Sequence, residues 1–217
     1  MCIRDRDKLN INYCLVISED GSTDNTKTIL KDFINKNQKR TIDNIVDEKR
    51  GYTDAVISGI KKSNSEFILC IDSDGQCDPK DFFLFWNNRH NNTDGVTIGI
   101  RNPRKDNFVR LLCSQFFGIF HFLLFPNKIK DPSCPFVLFN KKIFYKIDIH
   151  LNYVVEAFWW LFTAACIKEK IQMQQIIINH KTRISGDTQV YKPKKFPSIF
   201  IRNLFGLIKL KFAQNKL

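Results

Sequence analysis

No stretch of this sequence holds the ~20 mostly apolar residues that a membrane-crossing helix needs. The longest run without a charge, Leu111–Asn127, is interrupted by Ser114, Gln115, His121 and Pro126. An apolar h-region near the N-terminus is also lacking, which argues against a secretory signal. The seven cysteines, at positions 2, 14, 70, 77, 113, 134 and 166, form no Cys-x-x-Cys pair. They read as reduced thiols of a cytosolic protein. Internal repeats and low-complexity linkers are absent too, so 217 residues imply one domain with a sizeable core. Acids are in short supply. Against 34 Lys and Arg there are 22 Asp and Glu, a net charge of +12. From Lys181 onward nine basic residues face one acid, Asp187. Such an imbalance suits an acidic partner: nucleic acid, anionic headgroups or phosphorylated substrates.

What is present is an alternating pattern. Tyr13–Ser18 is a short apolar run that ends in Glu19-Asp20-Gly21-Ser22-Thr23-Asp24. It reads as a buried parallel strand that turns into a helix, capped by Ser22 or Thr23, with Ile29, Leu30, Phe33 and Ile34 on one face. A second strand at Thr41–Asp47 leads through Arg50-Gly51-Tyr52-Thr53-Asp54 into a helix over Ala55–Lys62. A third, Phe67–Ile71, meets Asp72-Ser73-Asp74-Gly75 and then a helix opened by Pro79. This is the order of an α/β sheet with crossover helices. Further expected elements are a strand at Gly95–Ile100, an aromatic helix over Phe108–Phe125 and a strand at Phe136–Phe139. A helix around Val154–Lys168, a strand at Ile171–His180 and an amphipathic basic helix over Phe196–Phe212 complete the series.

Parallel α/β sheets bind ligands beyond the C-terminal ends of their strands. In an extended segment residues i and i+2 point the same way, so Asp72 and Asp74 can face one ion, with the Gln76 amide oxygen as a third donor. Oxygen ligands of this kind suit Mg²⁺ or Mn²⁺.

With these motifs in order, the sequence resembles the family 2 glycosyltransferases, particularly the branch containing dolichyl-phosphate mannose synthase. Glu19–Asp24 is similar to the family's Asp-Asp-Gly-Ser-x-Asp turn, and Lys49–Ala55 to its Asn-x-Gly-x-x-x-Ala stretch. Asp72, Asp74, Gln76 and Pro79 match its Asp-x-Asp-x-Gln-x-x-Pro. Gly99-Ile100-Arg101, Asp131-Pro132-Ser133-Cys134-Pro135-Phe136 and His180–Gly186 follow in the family's order, so the resemblance spans Tyr13 to Gln189.

The resemblance implies a GT-A-type, Rossmann-like, mostly parallel sheet with flanking helices. It implies metal-dependent, inverting transfer from a nucleotide-sugar donor to a lipid-phosphate or glycan acceptor. By the same resemblance Asp20, with Gly21 and Ser22, contacts the nucleotide, and Asp72, Asp74 and Gln76 hold the metal. Arg101, Arg110 and Arg183 would bind phosphates, and Ser133 and His180 join the substrate-binding set. Asp74 and Glu156 are the catalytic candidates; Glu156 sits among aromatics, where burial would raise its pKa.

The family's opening strand and Pro-x-Tyr-Asn-Glu turn have no counterpart, and Met1–Arg6 looks like translated adapter sequence. The expectation is therefore a non-native or disordered start over 1–12, a glycosyltransferase domain over 13–190 and a basic amphipathic tail over 191–217. The first strand of the sheet would be missing, so the strands at Tyr13–Ser18 and Phe67–Ile71 would leave a gap, close on each other or take Lys8–Asn12 as a substitute, with Asp20 more exposed than a base-binding acid normally is. The expected location is cytoplasmic, at the inner face of an anionic membrane, without nucleic acid as a partner. Two rival readings are a haloacid-dehalogenase-type phosphatase with Asp72 as nucleophile, and a protein whose basic tail binds nucleic acid or an anionic surface.

Overall fold

A computed structural model describes residues 11–89, 93–106, 108–153, 156–182 and 196–213. The first half alternates as its sequence suggests: β1 (Leu15–Asp20), α1 (Thr26–Lys36), β2 (Thr41–Val46), α2 (Tyr52–Lys62) and β3 (Phe67–Cys70). Then come a 3-10 turn at Pro79–Asp81, α3 (Phe82–Asn88), β4 (Val96–Arg101) and α4 (Phe108–Leu124). The last elements are β5 (Val137–Asn140), α5 (Lys141–Ile147), α6 (Phe158–Lys168), β6 (Met173–Ile178) and α7 (Phe196–Phe212).

β1 extends two residues beyond the expected strand, which places Glu19 and Asp20 in its last turn of pleat rather than in the loop. α1 starts at Thr26 with Asn25 at its N-cap, so neither Ser22 nor Thr23 caps it. The Asp24 carboxylate instead accepts from the Thr26 amide at 2.9 Å. α5 was not foreseen. It follows β5 without a break because the Asn140 side chain accepts from the Lys142 amide at 3.0 Å, the bond that starts a helix at an N-cap.

The strands form two groups among the described residues. β1 and β2 pair in parallel, while β3, β5, β4 and β6 form a second sheet in that order. β4 and β6 run parallel, but β5 is inserted antiparallel to both β3 and β4. No ladder joins β1 to β3 among the described residues. Ile11 and Asn12 are not in a strand, and residues 1–10 lie outside the described residues.

The core is built around α6. Phe158 to Cys166 are all buried, so this helix is apolar on every side and needs cover on every side. Phe139 of β5 meets Phe162 at 5.3 Å between ring centroids, and Phe117 of α4 meets Trp160 at 5.1 Å. α7 closes the far side with Leu207 and Leu210 fully buried, so the basic tail helix is packed into the same core.

One buried histidine makes this core acid-sensitive. His121, on α4, is 1% exposed, and its Nε2–H donates to the Trp160 carbonyl at 3.2 Å. Burial draws its pKa from 6.5 down to about 4. The unfolded chain therefore binds a proton between those values that the folded chain refuses. The contribution is full above pH 6.5 and is lost as pH falls toward 4, amounting to roughly 3 kcal/mol. Urea unfolding at pH 7 and pH 4.5 should show a smaller loss of stability in His121→Gln than in the parent. Equal losses would contradict this role.

Candidate active site

Three turns meet at the C-terminal ends of β1, β2 and β3. The first is tightly tied to the second. The Asp20 carboxylate accepts from the amides of Arg50 at 2.7 Å and Gly51 at 2.9 Å. These bonds shield it, and Asp20 is half-buried. Glu19 holds the turn from below, accepting from the amides of Gly21 at 3.2 Å and Ser22 at 2.5 Å. Gly21 has φ +69°, and a Cβ there would lie 2.5 Å from the Lys49 amide nitrogen. Only glycine fits this approach.

The second turn reaches the third. Tyr52, the first residue of α2, donates its hydroxyl to Asp72 Oδ1 at 2.6 Å and accepts from Trp159 Nε1 at 2.7 Å. Asp72 is half-buried, and its carboxyl is pushed up by desolvation, with Tyr52 opposing and the nearby charge of Asp74 adding to the shift. Asp74 Oδ1 accepts from the Gln76 amide at 3.1 Å, and Gly75, with φ +73°, turns the chain just after the two acids. Two carboxylates whose charges press on each other, at the mouth of a sheet, fit a hard divalent cation. No group of three or more His, Cys, Asp or Glu suited to a metal occurs among the described residues.

The two-acid turn is laced to the end of β6. Cys77 bridges His180, and Gln76 Nε2 donates to the Lys181 carbonyl at 3.5 Å. Asp81 accepts from the Asn179 amide at 2.7 Å and from its side chain at 3.0 Å. The buried Gln76 is thus part of a strut between the turn and β6.

Beside this lies a chain of charges: Arg101, Asp131, Arg104, Asp106 and Arg110. Arg101 is 7% exposed and grips Asp131 through Nε and Nη2, both at 2.7 Å, while Nη2 also donates to Ser133 Oγ at 2.6 Å. Desolvation opposes its charge, but Asp131 outweighs it and holds Arg101 protonated above its ordinary range. Arg104 bonds Asp106 at 2.5 Å and Ser114 at 2.9 Å; Arg110 reaches Asp106 at 3.2 Å. Arg104 has its pKa lowered, first by desolvation and then by the charge of Arg101. Three guanidiniums share two carboxylates, and the surplus positive charge favours an anion. Desolvation and then the charge of Arg101 also lower the pKa of His180, whose Nδ1 accepts from the Lys105 amide at 2.9 Å. A cavity of about 180 Å³ opens behind Arg104, lined by Ser114, His121, Lys130 and Trp160.

Asp20, Gly21, Ser22, Asp72, Asp74 and Gln76 are therefore placed on linked turns, and the Asp72 carboxyl senses the charges of Arg101 and Arg110. Two of the candidates have partners within the protein. Arg101 is engaged by Asp131 and Ser133. Glu156 pairs with Arg202 and accepts from Asn203, both on α7. Arg183 lies outside the described residues. Sequence reasoning missed Tyr52, Trp159, Arg104 and Asp106. Tyr52 adjoins the glycine of a recognised turn, whereas nothing near Trp159 in the sequence marks its contact.

This architecture, mostly co-directional strands with a two-acid turn and a cationic cluster at the strand ends, is that of an α/β ligand-binding domain. The match to the Glycosyl transferase family 2 model over residues 4–148 then places the chain in that family: it is a family 2 glycosyltransferase. It is 28% identical over 220 residues to a dolichyl-phosphate β-glucosyltransferase of Dictyostelium discoideum, covering 94% of this chain and 67% of that protein. A poly-β-1,6-N-acetyl-D-glucosamine synthase of Staphylococcus epidermidis is 32% identical over 91 residues, covering 42% and 21% of the two chains. Among solved structures, glucosyl-3-phosphoglycerate synthase from Mycobacterium tuberculosis in complex with Mn²⁺, uridine diphosphate and phosphoglyceric acid superposes with a TM-score of 0.66. Its identity is 10%, over 93% of this chain and 69% of that one. The GT-A fold is thereby confirmed, and the phosphatase reading of Asp72 falls.

Proposed function

We propose that this protein transfers a sugar from a nucleotide-diphosphate sugar to a lipid-phosphate acceptor, with inversion at the anomeric carbon. The observation that carries this reading is a two-carboxylate turn facing a cluster with more guanidiniums than carboxylates. The donor's diphosphate lies between them, and Asp20 with the Gly21–Ser22 turn borders the nucleoside. Asp72 and Asp74, with the Gln76 amide beside them, would hold Mg²⁺ or Mn²⁺. When bound, the cation neutralises charge that develops on the leaving diphosphate. Arg110 and Arg104 attract the phosphates, and Arg101, held by Asp131, fixes Ser133 directly through Nη2. His180, with its pKa lowered, would donate from Nε2.

A phosphate acceptor is supported by Glu156. With that carboxylate paired to Arg202, a sugar hydroxyl would lack the base that it needs, whereas a phosphate is already ionised. The relative named as a dolichyl-phosphate enzyme agrees with an acceptor of this kind. Thermal unfolding against UDP-, GDP- and dTDP-sugars with Mn²⁺ tests the donor half. One nucleotide series should raise the midpoint only with metal present; no shift from any of them would sink the reading.

The acceptor's lipid suggests a membrane surface. Among the described residues no helix is long and apolar enough to cross one. α4, however, exposes Phe108 (72%), Leu112, Phe116, Ile119 (57%) and Leu123 along its length, and carries no acid. It packs through Phe116, Phe117 and Phe120 on Phe200 of α7, which exposes Ile201, Phe205, Lys209 and Lys211. Apolar rows beside lysines suit the headgroup level of an anionic bilayer, where each cation adds about 1 kcal/mol. The chain should float with phosphatidylserine vesicles at low salt. The Leu112→Glu/Ile119→Glu variant should stay at the bottom; a parent that fails to float would rule the surface out.

A further inference from the structure

We propose that Tyr52 is a positioning residue that couples the nucleotide side of the site to its cation side. The inference rests on the metal reading above and deepens it. Residues 50–52 touch both halves. The amides of Arg50 and Gly51 hold the Asp20 carboxylate, and the next side chain, Tyr52, holds Asp72.

The direction of the second link is fixed by chemistry. The indole of Trp159 has a donor and no acceptor, so Tyr52 Oη must be the acceptor in that 2.7 Å contact. The hydroxyl's one proton then points to Asp72 Oδ1, at 2.6 Å. Trp159 is itself buried in α6, at the centre of the core. The ring of Tyr52 packs against that core, so both ends of the relay are anchored. Asp72 is thereby held with Oδ1 committed to the protein and Oδ2 left for the cation. Groups that orient metal ligands commonly matter about 10–100-fold for metal affinity.

The same segment makes the two ligands report to each other. A nucleoside that settles on Asp20 steadies Arg50 and Gly51, which steadies Tyr52 and hence Asp72. By linkage, the cation strengthens nucleotide binding by the factor by which nucleotide strengthens cation binding. Removing the hydroxyl alone cuts this connection while leaving the aromatic ring in place.

The test is an electron paramagnetic resonance titration of Mn²⁺ onto the full chain, alone and then with UDP or GDP. Tyr52→Phe should weaken Mn²⁺ binding about tenfold and abolish the mutual enhancement by nucleotide. Metal-free nucleotide binding should stay at the parental value, while the melting temperature falls because the buried Trp159 indole N–H loses its acceptor. Trp159→Phe should have a smaller effect in the same direction, and the double variant should be no worse than Tyr52→Phe. A merely structural tyrosine would lower the melting temperature in the same way and leave the Mn²⁺ affinity unchanged, which overturns the proposal. Parental affinity and enhancement in Tyr52→Phe overturn it as well, with the metal reading intact. Absence of Mn²⁺ binding in the parent, matched by Asp72→Asn, overturns both.

Discussion

Asp74→Ala should lower kcat/KM for sugar transfer by about three orders of magnitude, or roughly 4 kcal/mol of transition-state stabilisation. The size follows from the donor set. Two carboxylates two residues apart are the anionic ligands the turn supplies, and no larger acid or histidine cluster backs them up among the described residues. A water replacing one carboxylate leaves half the charge opposite the cation. The loss should appear in binding too: the Mn²⁺-dependent thermal shift with nucleotide sugar should vanish, while the metal-free fold stays intact. The turn's own geometry argues for that stability, since Gly75 makes the bend and the Asp78 and Asp81 contacts hold the loop. Parental affinity for nucleotide sugar and Mn²⁺ in this variant would remove Asp74 from the site.

Asp131→Ala should be among the most destabilising single changes, at about 3–5 kcal/mol, because it strands the buried charge of Arg101. Three of the four contacts given to Arg101 go to this carboxylate. The melting temperature should fall by roughly 10 °C for a chain of this size. Replacing both partners, as Arg101→Met/Asp131→Leu, should recover most of the stability, because no uncompensated charge remains. It should not recover transfer, since Ser133 loses its anchor and the cluster loses a positive charge. If Asp131→Ala melts with the parent, the pair does not hold this loop.

Much of the first half was legible because its signals are local. The runs CLVIS and FILCI end at acids and glycines, and an apolar run followed by apolar residues at helical spacing is written in neighbouring residues. The bounds of α7 coincide with the apolar-basic period from Phe196 to Phe212. β5 shows the limit. That Val137–Asn140 would be a strand is visible, but its antiparallel insertion between β3 and β4 is a long-range choice. α5 was hidden because no glycine or proline separates it from β5. In the site, residue types and spacing marked Asp20, Asp72 and Asp74. They did not mark which partner each charge takes. Arg101 takes Asp131, and Glu156 takes Arg202 of α7. Such pairings join residues 30 to 46 positions apart, where no periodicity reaches.

The most direct test of the central claim is the product itself. The full chain would be incubated with Mn²⁺, a panel of nucleotide sugars, and either a short polyprenyl phosphate in anionic vesicles or a soluble glycan. Mass spectrometry of the lipid extract, with anomeric coupling measured by nuclear magnetic resonance, reads the outcome. The account predicts a polyprenyl-phosphate sugar of configuration opposite to the donor's, formed with Mn²⁺ and not with chelator. Transfer to the glycan hydroxyl alone, or a lipid product formed equally well without metal, would contradict it.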